Sequence, residues 1–260
     1  MSELWRQRWL FLNFFKRELK SRYSGTLGGG LWALGQPVLL LAIYSFVFRK
    51  VFKVGFPELG EHSFTAFVAC GLWPWMAFQE GIQRGTQAVV GNAGLVKKVM
   101  FPHELLVFAS VGATFALHFT GFCVILGVLA LLGEPFSFAG VMVVLGAWVV
   151  MLTLACGVTL LTSAAQVFLK DVDQLLGPIL MIMFYITPVL YPISQVPESV
   201  RGPMALNPLV HVIGPIRSSL MQGVASGLGE LAGLFGVAIV LVVVARGLFR
   251  RLSGYFEDFI

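Results

Sequence analysis

The chain has 260 residues, 57% of them hydrophobic and only 12% charged, with a mean hydropathy of +0.85 and a net charge of +5. A soluble domain carries about 25% charged residues, so there is too little polar surface here to coat a water-soluble body, and the bilayer is the expected solvent. The basic excess does not call for nucleic acid, because Lys and Arg beside apolar runs report membrane topology.

Residues 1–30 read as an amphipathic arm. Trp5, Trp9, Leu12, Phe15 and Leu19 recur at helical spacing, with Arg6, Asn13, Arg17 and Lys20 roughly opposite. That pattern suits a helix lying in the membrane interface, either as a plain anchor or as a surface for a partner. The first 30 residues also hold Arg8, Lys16 and Arg22 and no small-residue cleavage site after a short apolar core, so no cleavable signal peptide is expected. Gly25, Gly28, Gly29 and Gly30 let the chain turn into the first span.

Residues 31–260 read as an all-α integral membrane domain of six spans, at about 31–52, 64–88, 104–132, 138–168, 175–192 and 231–249, since a spanning helix needs about 20 mostly apolar residues. The third and fourth exceed that length and are expected to tilt or project beyond the lipid. With the N-terminus inside, thirteen of the 18 Lys and Arg residues fall on the cytoplasmic side, which gives both termini cytoplasmic; Arg49, Lys50 and Lys53 after span one are the exception. Between spans five and six, Pro197, Pro203, Pro208 and Pro215 interrupt any long helix, yet MALNPLVHVIGPI (residues 204–216) is too apolar for a free aqueous loop. Short re-entrant helices are expected there, forming part of the outer mouth of a pathway.

No GxxxxGK[ST] is present, so the chain has no P-loop of its own, and no HExxH, CxxC or His/Cys cluster suggests a metal. Cys70, Cys123 and Cys156 lie in apolar runs and read as packing residues. His118, within a span, reads as a helix–helix hydrogen-bonding group. Glu80 and Arg84, four apart near the end of span two, can neutralise each other. Ion-coupled transporters carry ionisable groups near the bilayer middle, and little of that kind is visible. The sparse Asp, Glu and His argue against a membrane-embedded transferase. The chain is therefore not expected to be an enzyme by itself, and any energy for transport comes from another polypeptide.

A polar, basic island, GNAGLVKKVMFPHELL (residues 91–106), lies between spans two and three. Together with FKRELKSRYSGTLGGGLWALGQP (residues 15–37), KDVDQ (170–174), FYITPVLYP (184–192) and NPLVHVIGPIR (207–217), taken in this order and spacing, it makes the chain resemble the permease subunits of ABC-2 type exporters, in particular those exporting O-antigen, capsule or teichoic acid. The match covers nearly the whole chain. Lys170 stands where many members have Arg, and Lys cannot supply a bidentate contact.

The resemblance implies a homodimer bound to two copies of a separate ABC ATPase, which holds ATP and Mg; this chain needs no cofactor or metal. It implies that Asn92, Leu95, Lys97, Lys98, Phe101 and Pro102, with Lys170 and Asp171, couple to that ATPase. It further implies a lipid-linked polysaccharide of O-antigen type moving across the inner membrane from the cytoplasm. Lys16, Arg17, Lys20 and Arg22 on the arm would meet the anionic head group near the lipid surface. Trp73, Trp75, Phe78, Tyr185 and Tyr191 are candidate path aromatics, flat rings that can guide sugar faces; core or interfacial-belt positions also account for them. A small amphiphile, or a capsule or teichoic acid polymer, is the alternative substrate.

Overall fold

The computed structural model describes residues 7–22, 32–53 and 60–260; Trp5, Arg6 and the glycine-rich turn at 25–30 lie outside the described residues. Every regular element among those described is helical. In order they are α1 (Arg8–Ser21), α2 (Trp32–Phe46) with a π turn (Val47–Val51), α3 (Phe64–Gln87), a 3-10 turn (Val90–Asn92), α4 (Ala93–Val96), α5 (Glu104–Leu131), α6 (Val141–Phe168) and α7 (Asp171–Ile186). A further 3-10 turn (Ile193–Gln195), α8 (Glu198–Met204), α9 (Val210–Met221), α10 (Leu228–Ser253) and α11 (Phe256–Phe259) complete the chain.

Four stretches are long and apolar enough to cross a membrane: Leu34–Val51, α5, α6 and α10. They match the expected first, third, fourth and sixth spans. The other two expected spans form helices of a different kind. α3 is 24 residues long, but its last turns carry Gln79, Glu80, Gln83, Arg84 and Gln87. α7 has 16 residues, about 24 Å at 1.5 Å per residue, short of a hydrocarbon core of about 30 Å. It begins earlier than expected because Asp171 and Asp173 occupy its first turn, where the helix dipole favours carboxylates. It ends before Pro188, which pushes Thr187 to an extended ψ of 130°.

α3 is the axis of the bundle. It is buried on almost every side, from Ala66 through Trp75 and on to Thr86, and packs against α2, α5, α6, α7 and α9. Ser63 caps its start by accepting from the Ala66 amide at 3.1 Å. α6 packs most extensively against α10, and the approach depends on Gly157, where an added Cβ would lie 2.7 Å from Leu241 Cγ. α5 ends at Gly133, whose φ of +98° favours glycine. The Glu134 amide then returns to the Leu129 carbonyl at 3.0 Å, closing the helix end and turning the chain toward α6.

α1 lies along α5. The expected apolar face only partly matches its packing face: Leu10, Phe11, Phe14 and Phe15 meet the core, while Trp9 is 66% exposed and Leu12 also faces outward. The helix has two neighbours to satisfy, protein on one side and lipid on the other, so it carries two apolar faces.

At the end of the bundle far from α1, α9 is fastened by Arg217. Its guanidinium donates to the carbonyls of Phe67 (3.2 Å), Pro188 (2.5 Å) and Val189 (2.5 Å) and lies 3.6 Å from the Phe67 ring centroid. A planar fork with several donors suits this task, because α7 has just ended and its following carbonyls need partners.

Candidate functional site

The end of the bundle that carries α1 holds a continuous cluster built on the 91–106 island. Asn92 donates through Nδ2 to the Ala88 carbonyl at 2.7 Å, which folds the chain back at the end of α3. Its Oδ1 accepts from Arg17 Nη2 at 2.5 Å, and the Arg17 guanidinium also lies 5.2 Å from the Phe14 ring centroid. Val96 is buried and Leu95 half-buried. These two anchor the short α4, leaving Lys97, Lys98, Val99 and Met100 as an exposed tip, with Met100 99% exposed.

Past the tip the chain is pinned again by aromatic contacts. Phe101 meets Phe14 of α1 at 5.4 Å between centroids and the His103 ring edge-on at 5.1 Å. His103 stacks on Phe256 at 6.1 Å, and Phe256 also meets Phe249 of α10 and Phe168 of α6. The Pro102 carbonyl accepts from the Leu105 amide at 3.0 Å as α5 begins. Burial pushes the His103 imidazole below its ordinary value, against the opposing pull of Glu257 and Glu104. Pairs of rings at these separations prefer tilted and edge-on arrangements, so the row links α1, the tip and the ends of α6 and α10 through defined contacts.

Glu104 completes this clamp. It is 2% exposed and accepts from Arg246 Nε (3.0 Å) and Nη2 (2.8 Å) and from Arg250 Nε (3.0 Å). Sequence reasoning read Glu104 only as the first residue of a span. The two arginines, four apart on α10, were the legible half of the signal.

Lys170 and Asp171 are both exposed at the turn between α6 and α7. Gln166 holds that turn, donating to the Lys170 carbonyl at 3.3 Å and accepting from the Asp173 amide at 2.8 Å. Asp173 faces Gly91 and Asn92 across a shared cavity of 410 Å³. Two of the sequence-predicted coupling segments therefore lie on opposite walls of one cleft.

Of the four basic residues singled out on the arm, Lys16, Arg17 and Lys20 are exposed. Arg22 turns inward with a side chain only 1% exposed. It pairs with Glu80 at 3.3 Å, hydrogen-bonds the Thr114 hydroxyl and lies 4.0 Å from Glu18. Glu80 also meets Arg84 at 2.5 Å and His118 at 2.7 Å. The expected pairing of Glu80 with Arg84 is present, and His118 does bridge two helices, from α5 to α3. The sequence did not reveal that Arg22 joins them.

Beside this cluster a groove of 550 Å³ opens between α2, α3 and α7. Trp75 forms its floor and Tyr185 part of its rim, joined by Tyr44, Phe184 and Gln79, which sequence reasoning had not chosen. Trp75 meets Phe184 at 5.6 Å and donates from Nε1 to Gln79 Oε1 at 2.9 Å. The other three candidate aromatics do not line the groove. Phe78 is buried and lies beside Trp75 at 6.3 Å. Trp73 is buried on another face of α3, where it packs against Gly121 of α5. Tyr191, beyond the end of α7, donates to the Tyr185 carbonyl at 2.6 Å.

Comparison with known proteins agrees with this anatomy. The family model for the ABC-2 type transporter matches residues 10–221. The chain is 30% identical over 263 residues to the O-antigen export system permease protein RfbA of Myxococcus xanthus, covering 99% of this chain and 98% of that protein. It is 29% identical over 245 residues to the protein of the same name from Klebsiella pneumoniae, covering 93% and 91%. The polysialic acid transport protein KpsM of Escherichia coli is 23% identical over 237 residues, covering 91% and 90%. Helical in every regular element of its described residues, with apolar helices long enough to cross a membrane and relatives that match it almost end to end, this protein belongs to the ABC-2 type transporter family.

Proposed function

We propose that the chain is the permease of an ATP-driven exporter that moves a lipid-linked polysaccharide of O-antigen type outward across the inner membrane. The observation that carries this reading is the near full-length similarity to O-antigen export permeases, on a chain whose groove is lined by aromatic and amide groups. Six spans follow if α3 crosses as a helix shielded by its neighbours and α7 crosses with its exposed apolar face toward lipid or a partner subunit, with α8 and α9 re-entering the membrane from the outside. The excess of Lys and Arg at the α1 end supports a topology with that end and both termini in the cytoplasm.

The working unit is a homodimer with two ATPase subunits, which bind ATP and Mg. α2 exposes Leu39, Ile43 and Phe46 beside the groove, and α7 exposes Ile179 and Ile182. A two-fold partner applied to this side would close two grooves into one path. The tip Lys97–Met100 offers charge and an apolar anchor to the ATPase. Its movement on nucleotide binding reaches α3 through Asn92 and reaches α1 through Arg17 and Phe101. Exposed Lys16 and Lys20 attract the anionic linker of the substrate at the lipid surface.

The test uses a strain deleted for this chain and complemented with wild type or with Lys97→Glu/Lys98→Glu. Loss of surface glycan, internal accumulation of polymer, and failure of the charge-reversed chain despite normal membrane insertion are expected. Unchanged surface glycan with lower tolerance to small amphiphiles would reverse the substrate assignment.

A further inference from the structure

Gln79, Gln83 and Gln87 follow one another at four-residue spacing along α3 and line one continuous cleft. The 410 Å³ cavity beside Asn92 and Asp173 shares Gln83 and Arg84 with the 550 Å³ groove, so the row runs from the tip segment up to the Trp75 floor. Gln36 of α2 faces the same groove. Each four-residue step rises about 6 Å along the helix, close to the length of one hexopyranose in a polymer.

These amides are not spent on the fold. Among the described residues, no hydrogen bond engages the side chain of Gln36, Gln83 or Gln87, and Gln79 uses only its carbonyl, on the Trp75 indole. An amide offers both donors and acceptors, as sugar hydroxyls do. Neutral hydrogen bonds exchange with water at little net gain, which suits a chain that must slide.

The charges along the cleft point the same way. Glu18, Glu80 and Asp173 contribute three carboxylates, against one lining guanidinium, Arg84, which is already paired with Glu80. Arg22, behind them, also reaches Glu80. An acidic polymer in the cleft would meet these carboxylates. The one lining cation, Arg84, is already paired and the nearby Arg17 is engaged with Asn92 at the cleft wall, so the polymer's lost hydration would be poorly compensated.

We infer that this amide row is a track for uncharged hexopyranose units, selecting neutral polysaccharides over polyanionic ones. The inference rests on the export reading above and narrows its substrate class. The test uses the full chain in the deletion strain, with wild type, Gln79→Leu/Gln83→Leu/Gln87→Leu, or the corresponding triple Asn variant. Membrane level and thermal midpoint of each variant are measured alongside. The glycan that depends on this chain should have a repeat free of uronic acid, sialic acid and phosphate. The Leu variant should export it about three- to ten-fold more slowly, as loss of a few neutral hydrogen bonds predicts, and the Asn variant should lie between.

A polyanionic glycan, or wild-type export by a Leu variant that is present and folded, overturns the track while leaving the export function intact. Surface glycan unaffected by deletion removes the export reading itself. The composition measurement decides the charge claim even where the Leu variant does not reach the membrane.

Discussion

Arg17 on α1 donates a 2.5 Å hydrogen bond to Asn92 at the base of the Lys97–Met100 tip. The amphipathic arm and the segment that carries the exposed lysines are thereby directly joined rather than merely adjacent. A hydrogen bond from a charged donor is worth about 1.5–3 kcal/mol when buried, and about 0.5–1.5 kcal/mol at an exposed site such as this one, so Arg17→Ala and Asn92→Ala should each slow export about two- to ten-fold. The double variant should be slowed by less than the product of the two single effects, since both remove the same contact. Fully additive losses in surface-glycan appearance rates would show that the two residues act separately.

Glu104 on α5 faces Arg246 and Arg250 on α10. Glu104→Gln keeps the shape but removes the charge from a buried site, leaving two guanidiniums with a weaker acceptor. The expected cost is about 2 kcal/mol, in the range for hydrogen bonds to charged groups, read as a lower thermal midpoint in detergent. The Arg246→Gln/Arg250→Gln double variant should be no more stable than Glu104→Gln, because it strands the buried carboxylate.

Much of this architecture was legible in the sequence because composition and length are local signals. Four of the six expected spans appear as long apolar helices, within a few residues of their expected limits. The Asn92–Pro102 island forms a compact, anchored turn with its lysines exposed. What the sequence hid were pairings across the chain. Arg22 read as a head-group contact on the arm, yet its partner Glu80 lies 58 positions away. Arg217 read only as the last residue of the 207–217 segment, yet it donates to three backbone carbonyls. Trp73 and Trp75 read alike, as candidate path aromatics or as core and belt residues, although positions two apart on a helix differ by about 200° in direction. Only Trp75 lines the groove. Helical periodicity marks faces, but it does not say which face meets lipid, protein or cavity.

The α6–α10 contact makes a steric prediction. Gly157 allows Leu241 to approach so closely that an added methyl would sit 2.7 Å from Leu241 Cγ. Gly157→Ala should cost about 1–3 kcal/mol through overpacking, whereas Gly146→Ala on the same helix, where a Cβ meets nothing within 4 Å, should be neutral or slightly stabilising. Equal effects on the thermal midpoint would mean that α6 and α10 are not packed in this register.

Two histidines outside the long helices of the core should give the protein pH dependences of opposite sign. His103 is held below its ordinary value chiefly by burial. The folded state therefore disfavours its protonation, and its contribution is complete above about pH 6.5 and lost as pH falls. His211 is held above its ordinary value, first by the Ala205 carbonyl, which meets Nε2 at 2.8 Å, and then by Glu230 at Nδ1, despite burial. With an acceptor at each nitrogen the ring favours its doubly protonated form. That contribution is complete below about pH 6.5 and lost as pH rises through the raised value. In thermal unfolding across pH 5 to 8, His103→Phe, which keeps a ring beside Phe101 and Phe256, should flatten the acid limb. His211→Gln should flatten the neutral-to-alkaline limb and leave the acid limb unchanged. If both substitutions act on the same limb, the two rings do not have the opposed environments that their contacts require.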